Sequence, residues 1–100
     1  MATLSTHVLD TSRGRPASGV SVVLEAADGT VLAEGVTDAD GRVGSLGGDL
    51  AAGEHRLRFT TSTYSAFYPE VVVTFLVGDE EHYHVPLLLS PFGYSTYRGS

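Results

Sequence analysis

A chain of 100 residues with a net charge of −6 and no cysteine excludes several classes of function. The acidic balance offers no basic stripe for nucleic acid, and the missing thiols exclude disulfides, thiolate catalysis and cysteine-bound zinc. No apolar run approaches the ~20 residues that span a bilayer, and the first residues show no signal peptide. We therefore expect a cytoplasmic protein with neither nucleic-acid nor membrane partners.

The pattern of residues predicts an all-β fold. Short alternating or β-branched runs are separated by turn signals, and almost no helical periodicity is present. In chain order, the predicted strands are 4–10, 20–26, 31–37, 42–46, 55–60, 70–77, 82–89 and 93–98. We therefore predict one domain over residues 1–100, an eight-stranded antiparallel β-sandwich, with room for one helical turn at 61–69.

The strand at 82–89 carries the most informative side chains. His82 and His84 are two residues apart, so a strand would point both rings to one face, roughly 6.6 Å apart. Three consecutive leucines follow at positions 87–89. Because alternate side chains of a strand point to opposite faces, both faces must be covered, and another subunit could cover one of them.

Several polar residues allow more than one interpretation. His82 and His84, with His7 as a third ligand, could hold zinc, or one neutral imidazole could act as a general base. The segment 38–41 is a turn rather than a calcium loop, because it lacks the remaining ligands. Arg42, directly after it, could be a surface charge paired with Asp38 or Asp40. His55 is interpreted as an exposed strand start.

The outward alternation at Arg56 and Arg58 is typical of surface charges, with Leu57 and Phe59 facing the core. On the first strand, alternation places Ser5, His7 and Leu9 on one face.

Three separated segments carry a family resemblance: LSTHVLDT at 4–11, TDADGR at 37–42 and HYHVPLLLSPFGYSTYRGS at 82–100. They resemble the 5-hydroxyisourate hydrolases, the transthyretin-related enzymes of urate breakdown. The resemblance implies a transthyretin-like β-sandwich assembled as a homotetramer, a dimer of dimers with active sites where the dimers meet. It also implies hydrolysis of 5-hydroxyisourate to 2-oxo-4-hydroxy-4-carboxy-5-ureidoimidazoline with water, no cofactor and no metal.

The resemblance also assigns residues. His7, Arg42 and His84 match the family's catalytic positions, and His7, Arg42, Tyr97 and Ser100 match groups that bind the substrate. A histidine would remove a proton from water while the arginine fork holds the planar anion, although either histidine could be the base. The connection at 61–69 is shorter than in relatives, where it holds a short helix, so that helix is in doubt.

Two other classes of function remain open from the residues. A transthyretin-like carrier would bind small aromatic ligands in a central channel without turnover, but His7, Arg42 and His84 would then lack a role. The middle of the chain would by itself also fit a β-sandwich interaction module, such as an adhesin-like or carboxypeptidase-regulatory domain.

Overall fold

The computed structural model describes residues 2–99, and these form nine strands in two sheets. The strands are β1 (Thr3–Asp10), β2 (Arg15–Pro16), β3 (Ser21–Ala26), β4 (Val31–Val36), β5 (Arg42–Val43), β6 (Gly53–Thr60), β7 (Glu70–Val77), β8 (His82–Ser90) and β9 (Gly93–Thr96). One sheet has the order β2-β1-β8-β9 with β5 also paired to β1, and the other has the order β4-β3-β6-β7. The predicted all-β sandwich is confirmed.

Side-chain alternation places the core between the two sheets. On β1, Leu4, Thr6 and Val8 are buried, while the intervening residues are half-buried on the other face. Leu57 and Phe59 of β6 are fully buried opposite them, as alternation predicts. Leu87 and Leu89 of β8 enter the core, whereas Leu88 lies half-buried on the opposite face of the strand.

Three features differ from the antiparallel eight-strand prediction. The pairing of β1 with β8 is parallel, from Thr3 beside His82 to Asp10 beside Leu89. The two-residue strand β2 was not predicted, and the strand predicted at 42–46 is only two residues long. A parallel pair needs a long crossover connection, which here contains the entire second sheet as well as the short strands β2 and β5. The local periodicity of the sequence does not reveal a pairing between strands so far apart in the chain.

The connection at 61–69 contains no helix. Its backbone makes a turn in which the amides of Tyr64 and Ser65 both donate to the carbonyl of Thr61. The Thr61 hydroxyl donates to the carbonyl of Tyr68, and the Tyr68 amide donates to the Ser65 hydroxyl. Side-chain hydrogen bonds therefore stabilise the shortened connection where relatives were expected to have a helix.

No helix of residues 2–99 has the length and apolar character needed to cross a membrane.

His55 corrects the sequence interpretation. Its side chain is only 5% exposed, because it shares the inward face of β6 with Leu57 and lies 6.0 Å from the ring of Phe75. The ring nitrogen Nδ1 lies 3.1 Å from the carbonyl of Gly53, which satisfies one polar atom within the partly apolar surroundings. The neighbouring Arg56 and Arg58 point outward as predicted, and both pair with Glu25.

Candidate active site

The outward face of the sheet that contains β1 and β8 carries the polar residues of interest. The parallel register places Thr3 beside His82 and Ser5 beside His84. Because the core-facing positions of both strands are apolar or hydrogen-bonded within the core, the histidines occupy the alternate, outward positions. His82 is exposed and His84 is half-buried. The prediction that both rings share one face is confirmed.

Hydroxyl groups of β1 link the two histidines. Oγ1 of Thr3 lies 2.6 Å from Nδ1 of His82, and Oγ of Ser5 lies 2.9 Å from Nε2 of the same ring. The same Ser5 oxygen lies 2.7 Å from Nδ1 of His84. These contacts hold both rings against β1, and among residues 2–99 no group bonds to Nε2 of His84, which faces the site as the other ring nitrogen.

Arg42 reaches this face through the turn at 38–41. The Asp38 carboxylate accepts hydrogen bonds from the backbone amides of Asp40 and Arg42 at 2.9 and 3.0 Å, which lowers the pKa of Asp38. Gly41 has a φ of 74°, and a Cβ there would lie 2.4 Å from the carbonyl oxygen of Val8. The turn therefore requires glycine, and it places Arg42 directly beside His7 of β1.

The guanidinium of Arg42 is available for a ligand. Within residues 2–99, no carboxylate lies at ion-pair distance from it, so the alternative of a surface charge paired with Asp38 or Asp40 is wrong. Asp38 contacts the backbone of Arg42 instead. The turn orients the strand and leaves the side chain exposed.

His7 lies next to this arrangement. Its Nε2 lies 2.9 Å from the carbonyl of Asp40, and because a carbonyl only accepts, this nitrogen carries the proton. The hydrogen bond ties His7 to the same turn that presents Arg42. His7 therefore borders the site with its Nε2 already engaged.

A cavity of about 290 Å³ lies where these elements meet. Its lining contains a guanidinium, two imidazoles and the Ser5 hydroxyl, and the residues that border it are Ser5, Thr6, Arg42, Val43, Gly44, His82 and His84. The pKa of His84 is lowered, first by burial and then by the positive charges of Arg42, His7 and His82. A neutral imidazole beside a guanidinium can remove a proton from water while an anion binds next to it.

The C-terminal segment approaches this site through its backbone. The Gly99 amide donates to the carbonyl of His84 at 2.8 Å, and a Cβ at position 99 would lie 2.5 Å from Cδ2 of the His84 ring. Only glycine fits against this imidazole without displacement. Ser100, which the resemblance assigns to substrate binding, lies outside the described residues.

Tyr97 lies elsewhere. It is 55% exposed and lines a second, more apolar cavity of about 250 Å³ between β7 and the end of β9, together with Phe75, Tyr83 and Arg98. The guanidinium of Arg98 lies 5.0 Å from the centre of the Tyr83 ring. Within one chain, the structure therefore brings Arg42 and His84 together, places His7 beside them, and does not bring Tyr97 into their cavity.

The zinc alternative lacks a suitable ligand group. Among residues 2–99, no three histidine, cysteine, aspartate or glutamate side chains are grouped closely enough to hold a metal ion. His82 and His84 are instead bonded to hydroxyls, with Ser5 between them.

Sequence reasoning did not identify Ser5, Asp38 and Gly99 as parts of the site, because their roles depend on strand pairing and on the close approach of backbone to side chain.

Comparison with known proteins agrees with this architecture. A sequence model of the HIUase/Transthyretin family matches residues 4–99. A 5-hydroxyisourate hydrolase of Salmonella dublin is 49% identical over 109 aligned positions, covering 97% of this chain and 80% of the relative. The match includes both the middle of the chain and its tail, which favours this family over a β-sandwich interaction module.

Solved structures give the same result. The chain superposes on 5-hydroxyisourate hydrolase of Klebsiella pneumoniae with a TM-score of 0.91 and 42% identity, covering 100% of both chains. Sea bream transthyretin in complex with thyroxine has a TM-score of 0.85 and 35% identity, covering 96% of this chain and 93% of that one. The 5-hydroxyisourate hydrolase and the thyroxine-bound transthyretin share one fold, so fold alone does not distinguish their functions.

Proposed function

Because the chain belongs to the HIUase/Transthyretin family, we propose that it is a cyclic amide hydrolase that opens the ring of 5-hydroxyisourate in urate degradation. One observation carries the proposal: a half-buried histidine with a lowered pKa lines the same cavity as an exposed arginine. A carrier that only binds its ligand has no need for a general base. The product would be 2-oxo-4-hydroxy-4-carboxy-5-ureidoimidazoline.

The mechanism follows from the two groups. His84, through Nε2, removes a proton from water as the water oxygen adds to the imide-like carbonyl carbon. The carbonyl oxygen becomes an oxyanion, and Arg42 stabilises both this charge and the anionic ring through its fork of donors. The carbon–nitrogen bond then breaks, and the ring nitrogen takes up the proton. His7 completes the proposed catalytic set, held beside Arg42 by its bond to the Asp40 carbonyl.

We further propose a homotetramer in which other subunits cover this sheet face. The cavity is open in a single chain, and Phe92 is 78% exposed on the turn between β8 and β9. Its ring lies 6.4 Å from that of Phe67, which is 62% exposed, and adjoining exposed apolar side chains are typical of contact surfaces. Tyr97 and Ser100 would complete a substrate pocket formed between dimers. The reaction needs no cofactor or metal, and the protein is expected in the cytoplasm.

The decay of freshly generated 5-hydroxyisourate, followed by its ultraviolet absorbance, tests the proposal. The purified protein should accelerate this decay, and Arg42→Ala or His84→Ala should lower kcat/KM by about 10²-fold or more. Arg13→Ala, which removes an exposed arginine from the loop after β1, is the matched control and should retain full activity. Full activity in both site variants would contradict the assigned roles, whatever the protein hydrolyses.

A thyroxine-type carrier is the second candidate, favoured by the likeness to sea bream transthyretin. It predicts binding of small aromatic ligands, measured by calorimetry, with no acceleration of 5-hydroxyisourate decay. The same assay therefore separates the two functions.

A further inference from the structure

A continuous chain of polar contacts runs behind His84, on the side away from its available nitrogen. It passes from Nδ1 of His84 to Oγ of Ser5 at 2.7 Å, and from that oxygen to Nε2 of His82 at 2.9 Å. It continues from Nδ1 of His82 to Oγ1 of Thr3 at 2.6 Å, and this hydroxyl donates to the carbonyl of Glu81. One serine hydroxyl thus bridges two imidazoles.

The bridging hydroxyl restricts where the protons are. Ser5 has one proton, so it donates to one ring and accepts from the other. In the first arrangement, His84 donates from Nδ1 to Ser5, Ser5 donates to Nε2 of His82, and Nε2 of His84 keeps its lone pair. In the second arrangement, both bonds are reversed and Nε2 of His84 carries a proton. The first arrangement is that of a base, and the second that of an acid.

From this geometry we propose that Ser5 and His82 form a proton relay that allows His84 to act as the base without remaining charged. The inference rests on the hydrolase function proposed above, in which His84 rather than His7 is the base. As water attacks, its proton goes to Nε2 of His84, the Nδ1 proton of His84 goes to Ser5, and the Ser5 proton goes to Nε2 of His82. His82 becomes the imidazolium and His84 ends neutral.

The surroundings of the two rings explain why the charge would move. His84 is half-buried and faces the cationic or ionisable side chains of Arg42 on β5, His7 on β1 and His82 on β8. Burial and these neighbours lower the pKa of His84. Within a single chain His82 is the more exposed ring, and its Nδ1–H can donate to the Thr3 hydroxyl, which in turn donates to the Glu81 carbonyl. These acceptors favour an imidazolium at His82, whereas burial and the charge of Arg42 disfavour one at His84.

The relay also returns the proton. When the carbon–nitrogen bond breaks, the departing ring nitrogen needs a proton, and Nε2 of His84 is already protonated. After it donates, the protons on Ser5 and His82 move back and restore the first arrangement. Ser5 and His82 are therefore positioning residues that act through His84. Their loss should lower kcat with little change in KM.

Single and double substitutions test the relay. Ser5→Ala and His82→Gln should each lower kcat by about 10-fold or more while KM stays within about twofold. The kcat of the double variant should be no lower than that of the less active single variant, because both changes interrupt the same proton path. Ser5→Thr keeps the hydroxyl and should recover most of the activity. Ser62→Ala, an exposed serine in the connection at 61–69, is the matched control.

Solvent isotope effects give a readout that a purely structural role would not change. In mixtures of H₂O and D₂O, kcat of the wild type should fall along a curve, because several protons move together. In Ser5→Ala it should fall along a straight line, because only the proton of water moves. A straight line in the wild type, or the same curve in both proteins, would overturn the relay.

The outcomes separate the relay from the function on which it rests. Wild-type protein that does not accelerate 5-hydroxyisourate decay overturns both. Active wild type with unchanged kcat in Ser5→Ala, or with losses that multiply in the double variant, overturns the relay alone. If circular dichroism shows that Ser5→Ala is unfolded, the exposed His82→Gln decides the question. Unchanged kcat in that variant overturns the relay.

Discussion

Substitution of Gly99 by alanine tests whether the C-terminal backbone fixes the position of the His84 ring. The added Cβ would lie 2.5 Å from Cδ2 and 3.3 Å from Cγ of that ring. Non-bonded carbon atoms are most stable at about 3.5–4.0 Å, so the ring or the tail must move by about 1 Å. A misplacement of about 1 Å at a reacting group can cost 10²-fold in rate. We therefore expect kcat of Gly99→Ala to fall by between about 10-fold and 10²-fold.

The assay is the decay of 5-hydroxyisourate, measured beside the thermal unfolding midpoint of each variant. Gly48→Ala is the control, since a Cβ there meets no atom of the described residues within 4 Å and the backbone has no positive φ. It should keep both activity and unfolding midpoint. Gly99→Ala should keep its midpoint, because within the described part of the chain a single isolated bridge joins this residue to β8. Wild-type kcat in Gly99→Ala would refute the steric argument.

Three further predictions concern stability. Gly41→Ala should lower the free energy of unfolding by about 2–4 kcal/mol, whereas Gly14→Ala, with a similar positive φ but open surroundings, should cost about 1 kcal/mol in chemical denaturation. Because the pKa of His84 is lower in the folded protein than in the unfolded chain, the unfolded chain takes up this proton at a higher pH. The free energy of unfolding should therefore fall as pH drops below about 6.5, and it should fall less steeply in His84→Gln. Leu87→Ala should cost about 2–5 kcal/mol, and Leu88→Ala clearly less in a monomer, with any larger effect of Leu88→Ala appearing as tetramer dissociation in light scattering. Equal losses for the two glycines, parallel pH curves, or equal losses for the two leucines would contradict these expectations.

Much of the sheet structure could be predicted because alternation is local. The burial pattern of β1 and β6 follows directly from the order of apolar and polar residues. The parallel pairing of β1 with β8 could not be predicted, because it joins segments separated by the whole second sheet. His55 was misassigned for a related reason. Its position beside a glycine turn suggested exposure, but the alternation of side chains along β6 points the ring inward and the neighbouring Phe75 covers it.

The candidate active site was likewise only partly predictable from the sequence. A period of two predicts that His82 and His84 share a face, and the family resemblance selects Arg42 and His84. The contact of Ser5 with both rings depends on the register between two distant strands, and the need for glycine at position 99 depends on a close approach of backbone to ring. Neither can be read from residue types alone. Tyr97 and Ser100 remain predictions.

The histidines also help to determine the register that builds their site. Three consecutive leucines at 87–89 would supply an apolar residue to the core in either of two registers, so they do not specify the pairing by themselves. A slip of one residue would turn Tyr83 and Val85 outward and place His82 and His84 in the core. Burying two imidazoles without their hydroxyl partners costs several kcal/mol, because their polar nitrogens would be left without hydrogen bonds. The residues proposed to carry the chemistry therefore also disfavour the alternative packing of the strand that carries them.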